Sequence, residues 1–142
     1  MQRSQKLGVI IKRINNTFEA ELNKMLKKYD ITKTQCDILM YLDRHKHEKN
    51  SQRDIEKYFG ISNPTVSGIL NRLESKEFII RMSCEKDARV RYIKSTEKAN
   101  TLIGRIKSNF NYKEAQLKVG LTPEEEEQLF NYLNRILQNI TK

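Results

Sequence analysis

The segment from Ser51 to Thr96 constrains the fold of this 142-residue chain more than any other part. Ser51 is a good helix cap, and Asp54 lies three residues later, near the positive end of the helix that would follow. Gly60 suits the left-handed residue that ends a helix. A second helix is expected directly after it, because Pro64 favours the first helical position. The segment therefore predicts two short helices joined by a tight turn.

Two runs rich in Ile, Val, Tyr and Arg follow, residues 78–83 and 89–94. The polar stretch between them predicts an antiparallel hairpin with a loop longer than two residues. Two helices, a tight turn and a basic ribbon, in this order, are the parts of a winged helix-turn-helix. We expect Asn63 to cap the second helix. In the first helix, we expect Tyr58 to face inward with Ile55 and Phe59. The apolar stripe of the second helix that faces the core is predicted to be Val66, Ile69, Leu70 and Leu73.

Long amphipathic helices flank this segment. The first has an apolar stripe at steps of three and four over residues 6–29, and Thr32 with Gln35 predicts a capping box for the next. Thr96 starts a fifth helix, and Thr122 with Glu125 predicts the capping box of a sixth. The predicted fold is mainly α (α+β), a single domain over residues 1–142. Within it we assign 32–95 to a winged helix-turn-helix lobe, and 5–30 and 96–141 to dimerisation helices.

The net charge of +9 is concentrated in the first helix and in residues 43–94, which carry twelve basic and eight acidic side chains. A basic excess that coincides with a helix-turn-helix indicates double-stranded DNA as a partner. The sequence contains no nucleophile elbow, phosphate loop or HExxH motif, so we expect neither an enzyme nor a cofactor. We find no secretion signal or membrane span and expect a cytoplasmic protein without membrane association.

Two stretches carry a family resemblance: S-N-P-T-V-S-G-I-L-N-R-L-E-S-K, from residue 62 to 76, and D-A-R, from 87 to 89. With the order of the elements, they resemble the MarR family of bacterial winged-helix transcription regulators. The resemblance implies a homodimer built from the terminal helices. It also implies repression, less often activation, usually relieved by a small ligand or an oxidant. The chain departs from the family at Ala99, where a glycine is common. It also has no cysteine before Cys36, unlike the peroxide-sensing branch.

The candidate DNA-binding residues lie on three elements. Short polar groups and one arginine occupy the outer face of the second helix, and Arg89 is the residue we expect to enter the minor groove. Asp87 cannot favourably contact DNA, so we assign it the role of orienting an arginine, such as Arg89. Each candidate could instead contact only the DNA backbone. The full set is Gln52, Arg53, Asn63, Thr65, Ser67, Gly68, Asn71, Arg72, Lys86, Arg89 and Arg91.

Several alternatives stay open. The winged helix could serve as a protein-interaction module without sequence-specific DNA binding. A small-molecule effector is implied by the resemblance, but its binding residues are unknown. His45 and His47 are interpreted as surface histidines rather than metal ligands, and we expect no metal site. Cys36 is interpreted as a buried thiol; Cys84, close to the basic ribbon, is either a spectator or an oxidation-sensitive group.

Overall fold

The computed structural model of the chain describes residues 6–83, 86–87 and 89–142. The helices and strands follow one another as α1 (Leu7–Lys28), α2 (Lys33–Arg44), β1 (Asn50–Ser51), α3 (Gln52–Phe59), α4 (Asn63–Ser75), β2 (Ile79–Ser83), β3 (Arg91–Ser95), α5 (Glu97–Leu117) and α6 (Pro123–Ile140). This order confirms the predicted mainly helical winged helix-turn-helix.

The sheet is antiparallel, with β3 between β1 and β2. Arg81 of β2 lies opposite Ile93 of β3, and Met82 lies opposite Tyr92. Because successive side chains of a strand point to opposite faces, these two pairs lie on different faces of the sheet. β1 also pairs with β3, through Asn50 and Ile93.

The helix boundaries follow local capping chemistry. Thr32, Ser51 and Thr122 each accept a hydrogen bond from the third helical N–H, and Gln35, Asp54 and Glu125 complete the capping boxes. Gly60 adopts φ 64° after α3, in the left-handed region where a residue without Cβ has the least strain. These predicted boundaries are confirmed.

Two local predictions were wrong. The cap of α4 is Ser62 rather than Asn63, because the Asn63 side chain donates to the Glu56 carboxylate at 2.9 Å instead. Tyr58 does not face inward with Ile55: it is 54% exposed. Arg44 donates to the Tyr58 hydroxyl at 3.1 Å, so the phenol lies at the surface.

The core is formed by the end of α1, by α2, α3 and α4, by the sheet and by the first turns of α5. Its fully enclosed side chains include Ile38, Leu39, Ile55, Leu70 and Phe78. Burying an aliphatic side chain of this size stabilises the fold by about 1.5–3 kcal/mol. The inner stripe predicted for α4 is buried throughout. The lobe that carries α3 and α4 is therefore a packed scaffold for the side chains on its outer surface.

The chain divides into two compact units, Met1–Lys107 and Ser108–Lys142. In the second unit, Gly120 adopts φ 84° between the two helices, and Lys118 bridges to Glu126 at 3.0 Å. Hydrogen bonding to Glu126 raises the pKa of Lys118.

Apolar side chains at both ends of the chain are exposed. On α6 they are Leu129, Phe130, Leu133, Leu137 and Ile140, and on α1 they include Leu7, Ile11 and Ile14. No helix within the described residues is long and apolar enough to cross a membrane.

Candidate nucleic-acid interface

The beginnings of α3 and α4 lie close together across the turn that joins the helices. The Gln52 side-chain amide donates to the Asn63 carbonyl oxygen at 3.4 Å. The Asn63 amide in turn donates to Glu56. Helix beginnings expose backbone N–H groups and carry a partial positive charge, so this end of the motif can accept a phosphate.

A cleft of about 790 Å³ opens between the beginnings of α3 and α4 and the sheet. It brings together residues that lie almost 40 positions apart in the sequence. Many of the predicted DNA-binding residues line it: Gln52, Arg53, Asn63, Ser67, Asn71, Arg89 and Arg91. Among the described residues that line the cleft, the cations are Arg53, Arg81, Arg89 and Arg91 and the acid is Glu56, so the lining attracts an anion.

The remaining predicted residues of α4 lie on its outer face, beyond the lining of the cleft. Thr65 and Arg72 are exposed. A Cβ atom added at Gly68 would meet no heavy atom within 4 Å. The absence of a side chain at position 68 therefore leaves open space on this face of α4, which is what close approach of another molecule requires.

The tip of the ribbon holds an ion pair between Asp87 and Arg89. The Arg89 backbone N–H donates to Asp87 Oδ1 at 3.0 Å. The guanidinium donates to Oδ1 at 3.2 Å from Nε and to Oδ2 at 3.4 Å from Nη2. These bonds, the backbone N–H above all, lower the pKa of Asp87. The Arg89 side chain is nevertheless 91% exposed, so the carboxylate holds one edge of the guanidinium and leaves the rest accessible.

Two other predicted DNA-binding cations of the ribbon, Lys86 and Arg91, are exposed. Cys84 lies outside the described residues, so the hypothesis of an oxidation-sensitive thiol beside the ribbon remains a prediction. DNA contact by the predicted residues also stays a prediction.

Arg81 also belongs to this site, although it was not among the residues predicted from the sequence. Arg81 lines the cleft, and it donates to Asn71 Oδ1 at 2.9 Å and to Glu74 Oε1 at 3.1 Å. Strand alternation could have indicated only that Arg81 shares a face of β2 with buried Ile79; its contact with Asn71 depends on how α4 packs against the sheet.

Comparison with known proteins supports the resemblance seen in the sequence. The profile of the MarR family matches residues 29–90. The structure of a Staphylococcus aureus MepR–DNA complex is 30% identical in sequence and has a TM-score of 0.85, with 94% of this chain and 99% of that chain covered.

The chain belongs to the MarR family.

Two further structures of the same relative agree with this membership in the MarR family. MepR, described as a transcription regulator of the S. aureus multidrug efflux pump MepA, is 28% identical with a TM-score of 0.79, covering 96% of this chain and 100% of that chain. MepR bound to ethidium bromide is 28% identical with a TM-score of 0.81, covering 99% and 100%.

This MarR-family chain has a second cleft, of about 430 Å³, on the other side of the sheet. Its apolar wall includes Leu42, Met82 and Tyr92. Its charged lining residues are Lys46, Lys49, Lys94, Asp43 and Glu48. The ammonium of Lys49 lies 5.5 Å from the centre of the Tyr92 ring. Ser95 also lines the cleft, and its buried hydroxyl has no hydrogen-bond partner among the described residues.

His45 and Cys36 both pack against other residues of the MarR-family lobe. The His45 ring packs 4.2 Å from the Tyr41 ring, between centres, and its Nδ1 lies 2.9 Å from the Tyr41 carbonyl oxygen. Cys36 is buried, and burial raises the pKa of its thiol to about 11, with Asp37 adding to the effect.

Proposed function

We propose that this member of the MarR family is a sequence-specific DNA-binding transcription regulator, acting as a repressor and binding a pseudo-palindromic operator as a homodimer. The observation that carries the proposal is the arginine-lined cleft between α3, α4 and the sheet. The cleft combines cations that suit phosphates with short polar side chains that suit base edges. The MepR–DNA complex, with a TM-score of 0.85, adds a DNA-bound relative of the same architecture.

In the proposed complex α4 lies in the major groove. Thr65, Ser67, Gly68 and Asn71 form the face directed at the bases, while Arg53 and the beginning of α3 contact phosphate. Arg89, held by Asp87, enters the minor groove beside it, where narrow A·T tracts attract guanidinium groups.

A salt titration tests this function against the alternative of a protein-interaction module. If about three cations per protomer contact phosphate, a dimer neutralises about six phosphates, and log K against log salt falls with a slope of about −5. Duplexes enriched from a random library should bind more tightly than scrambled duplexes at every salt concentration. Equal affinity for both sets would contradict sequence-specific binding and favour the interaction module.

The homodimer is supported by the exposed apolar side chains of α1 and α6. On α6, Leu129, Leu133 and Leu137 recur every four residues, so they form one stripe along the helix. We expect Leu133→Asp to shift the protein towards a monomer in sedimentation experiments, because it places a charge in the stripe. Asn131→Asp is the matched control, since Asn131 is exposed and lies on a different face of the same helix. A dimeric Leu133→Asp variant would exclude the α6 stripe from the interface.

Relief by a small ligand is supported by the cleft of about 430 Å³, a volume in the usual range for ligand pockets. Its apolar wall suits a ligand with an apolar body, and its three lysines outnumber the carboxylates of Asp43 and Glu48, which favours an anionic group. This cleft and the arginine-lined one both include Ile93 of β3. A ligand bound here could therefore shift β2 and β3, the strands that carry Arg81 and Arg91.

A release assay tests this ligand site. The complex of the protein with labelled operator DNA is titrated with small aromatic anions and, separately, with ethidium, which is bound in one structure of MepR. We expect release by an anion, and a weaker effect of that anion on Lys94→Gln, with unchanged DNA affinity in its absence. Release by ethidium alone, unaffected by Lys94→Gln, would place the effector elsewhere.

A further inference from the structure

Arg81 joins the sheet to the helix that we propose reads DNA. Its side chain is only 12% exposed. From β2, its Nη1 donates to Asn71 Oδ1 at 2.9 Å and to Glu74 Oε1 at 3.1 Å. Asn71 and Glu74 lie three residues apart on α4, so they are neighbours on one face of that helix. The guanidinium is therefore shared between an amide oxygen and a carboxylate.

This contact fixes the orientation of the Asn71 amide. A guanidinium has only donors, so the oxygen of the amide must face it; the reverse orientation would bring N–H groups against N–H groups. The bond to Arg81 is charge-assisted, which makes it stronger than a neutral hydrogen bond. The Nδ2 group of Asn71 has no hydrogen-bond partner among the described residues, and the Asn71 side chain is exposed.

The fixed orientation changes what Asn71 can recognise. An asparagine that reads adenine uses both ends of its amide, the oxygen accepting from N6 and the nitrogen donating to N7. Because Arg81 already engages the oxygen of Asn71, the group of this side chain without a partner is Nδ2, which can only donate. Guanine offers the acceptors N7 and O6, and thymine offers O4, whereas adenine places the N6 donor beside its N7 acceptor and so brings a competing donor against Nδ2.

We propose that Arg81 is a specificity-determining positioning residue, which holds Asn71 so that it selects an acceptor edge, guanine or thymine, instead of adenine. The inference rests on the proposed DNA-binding function. Glu74 completes the arrangement: it balances the charge of Arg81 and holds the guanidinium against α4, away from a phosphate.

Base preferences and salt dependence together test the proposal. Wild-type protein, Arg81→Met and Asn71→Ala are each used to select duplexes from a random library. Asn71→Ala should lose preference at one base pair per half-site, by about tenfold, as expected for one lost base contact. Arg81→Met should accept adenine at that same base pair while its salt slope stays that of the wild type, because no phosphate contact is removed.

A different result for Arg81→Met would overturn the proposal. If the variant keeps the wild-type preference and its salt slope falls by about one per protomer, Arg81 is a direct phosphate contact. Failure of the underlying function gives a separate result, because the wild-type protein would then enrich no sequence at all.

Asn71→Asp keeps the test decisive if Arg81→Met fails to fold. An aspartate retains the oxygen that accepts from Arg81 and removes both N–H donors. We expect its preference to move from guanine or thymine towards a base that donates, such as cytosine through N4. An unchanged preference would show that the Asn71 amide nitrogen reads no base. Asn131→Asp is the matched control, since it makes the same substitution at an exposed position of α6 and should retain the wild-type preference.

Discussion

Gly68→Ala should change stability and DNA affinity in opposite directions. Gly68 lies inside α4, where glycine is about 1 kcal/mol less favourable than alanine. A Cβ atom at this position would meet no heavy atom within 4 Å, so the substitution introduces no clash with the protein. The variant should therefore be more stable by about 1 kcal/mol, which corresponds to a melting temperature about 4 °C higher in a chain of this size.

The same methyl group should weaken DNA binding. If the outer face of α4 lies against base edges, the added Cβ occupies space that the duplex needs and displaces at least one base contact. One such contact is worth about 1–3 kcal/mol, so the Kd should rise about tenfold or more. Affinity is measured by fluorescence anisotropy with a selected operator, and stability by thermal and urea unfolding.

Gly104→Ala is the matched control. Gly104 also lies within a helix, α5, and a Cβ atom there is equally free of contacts. This variant should gain the same stability and keep its DNA affinity, provided that sedimentation shows an unchanged oligomeric state. If Gly68→Ala is stabilised but binds the operator as tightly as wild type, α4 does not approach DNA at residue 68.

Four further outcomes are expected. Arg89→Ala should weaken operator binding at least tenfold without lowering the melting temperature, because the side chain is 91% exposed; unchanged affinity and salt slope would remove Arg89 from the interface. The pKa of Asp87 is lowered in the fold, so its ion pair with Arg89 is fully formed above the ordinary Asp pKa, near 4, and is lost only as the pH falls through the lowered value. DNA affinity should therefore show no titration of Asp87 between pH 5 and 8. A comparison of the pH profiles of the wild type and Asp87→Asn checks this. Cys36, with its pKa raised to about 11, should react with a disulfide reagent at pH 8 only after unfolding; rapid reaction in a Cys84→Ser background would show that the thiol is accessible. Thr122→Ala should cost about 1 kcal/mol through loss of the α6 capping box, as measured by urea unfolding.

Much of the fold could be predicted because its signals are local. The capping boxes at Thr32, Ser51 and Thr122 depend on residues three positions apart, and Gly60 marks a backbone conformation that other residues avoid. The misplaced cap at Asn63 shows the limit of such reasoning. Ser62 and Asn63 are both residue types that cap helices well. The Asn63 side chain instead binds Glu56 of the preceding helix, a contact that the local sequence does not reveal.

The candidate site shows the same difference between local contacts, which the sequence predicts, and contacts with other helices, which it does not. The pairing of Asp87 with Arg89 was foreseeable because the two residues are two positions apart, within reach of one another in a turn. The exposure of Tyr58 was not, since it depends on Arg44 from another helix.

The sequence by itself determined the order of the helices, the caps at Thr32, Ser51 and Thr122, the α4 residues that face outward and the basic character of the ribbon. These properties follow from periodicity and from contacts within one helical turn. Only the tertiary structure decided that Arg81 faces Asn71, that the arginines of the ribbon line one cleft with α3 and α4, and that lysines from distant segments meet on the other side of the sheet. The physical reason is that such contacts depend on strand register and on how α4 packs against β2, and neither is encoded in the spacing of the residues concerned.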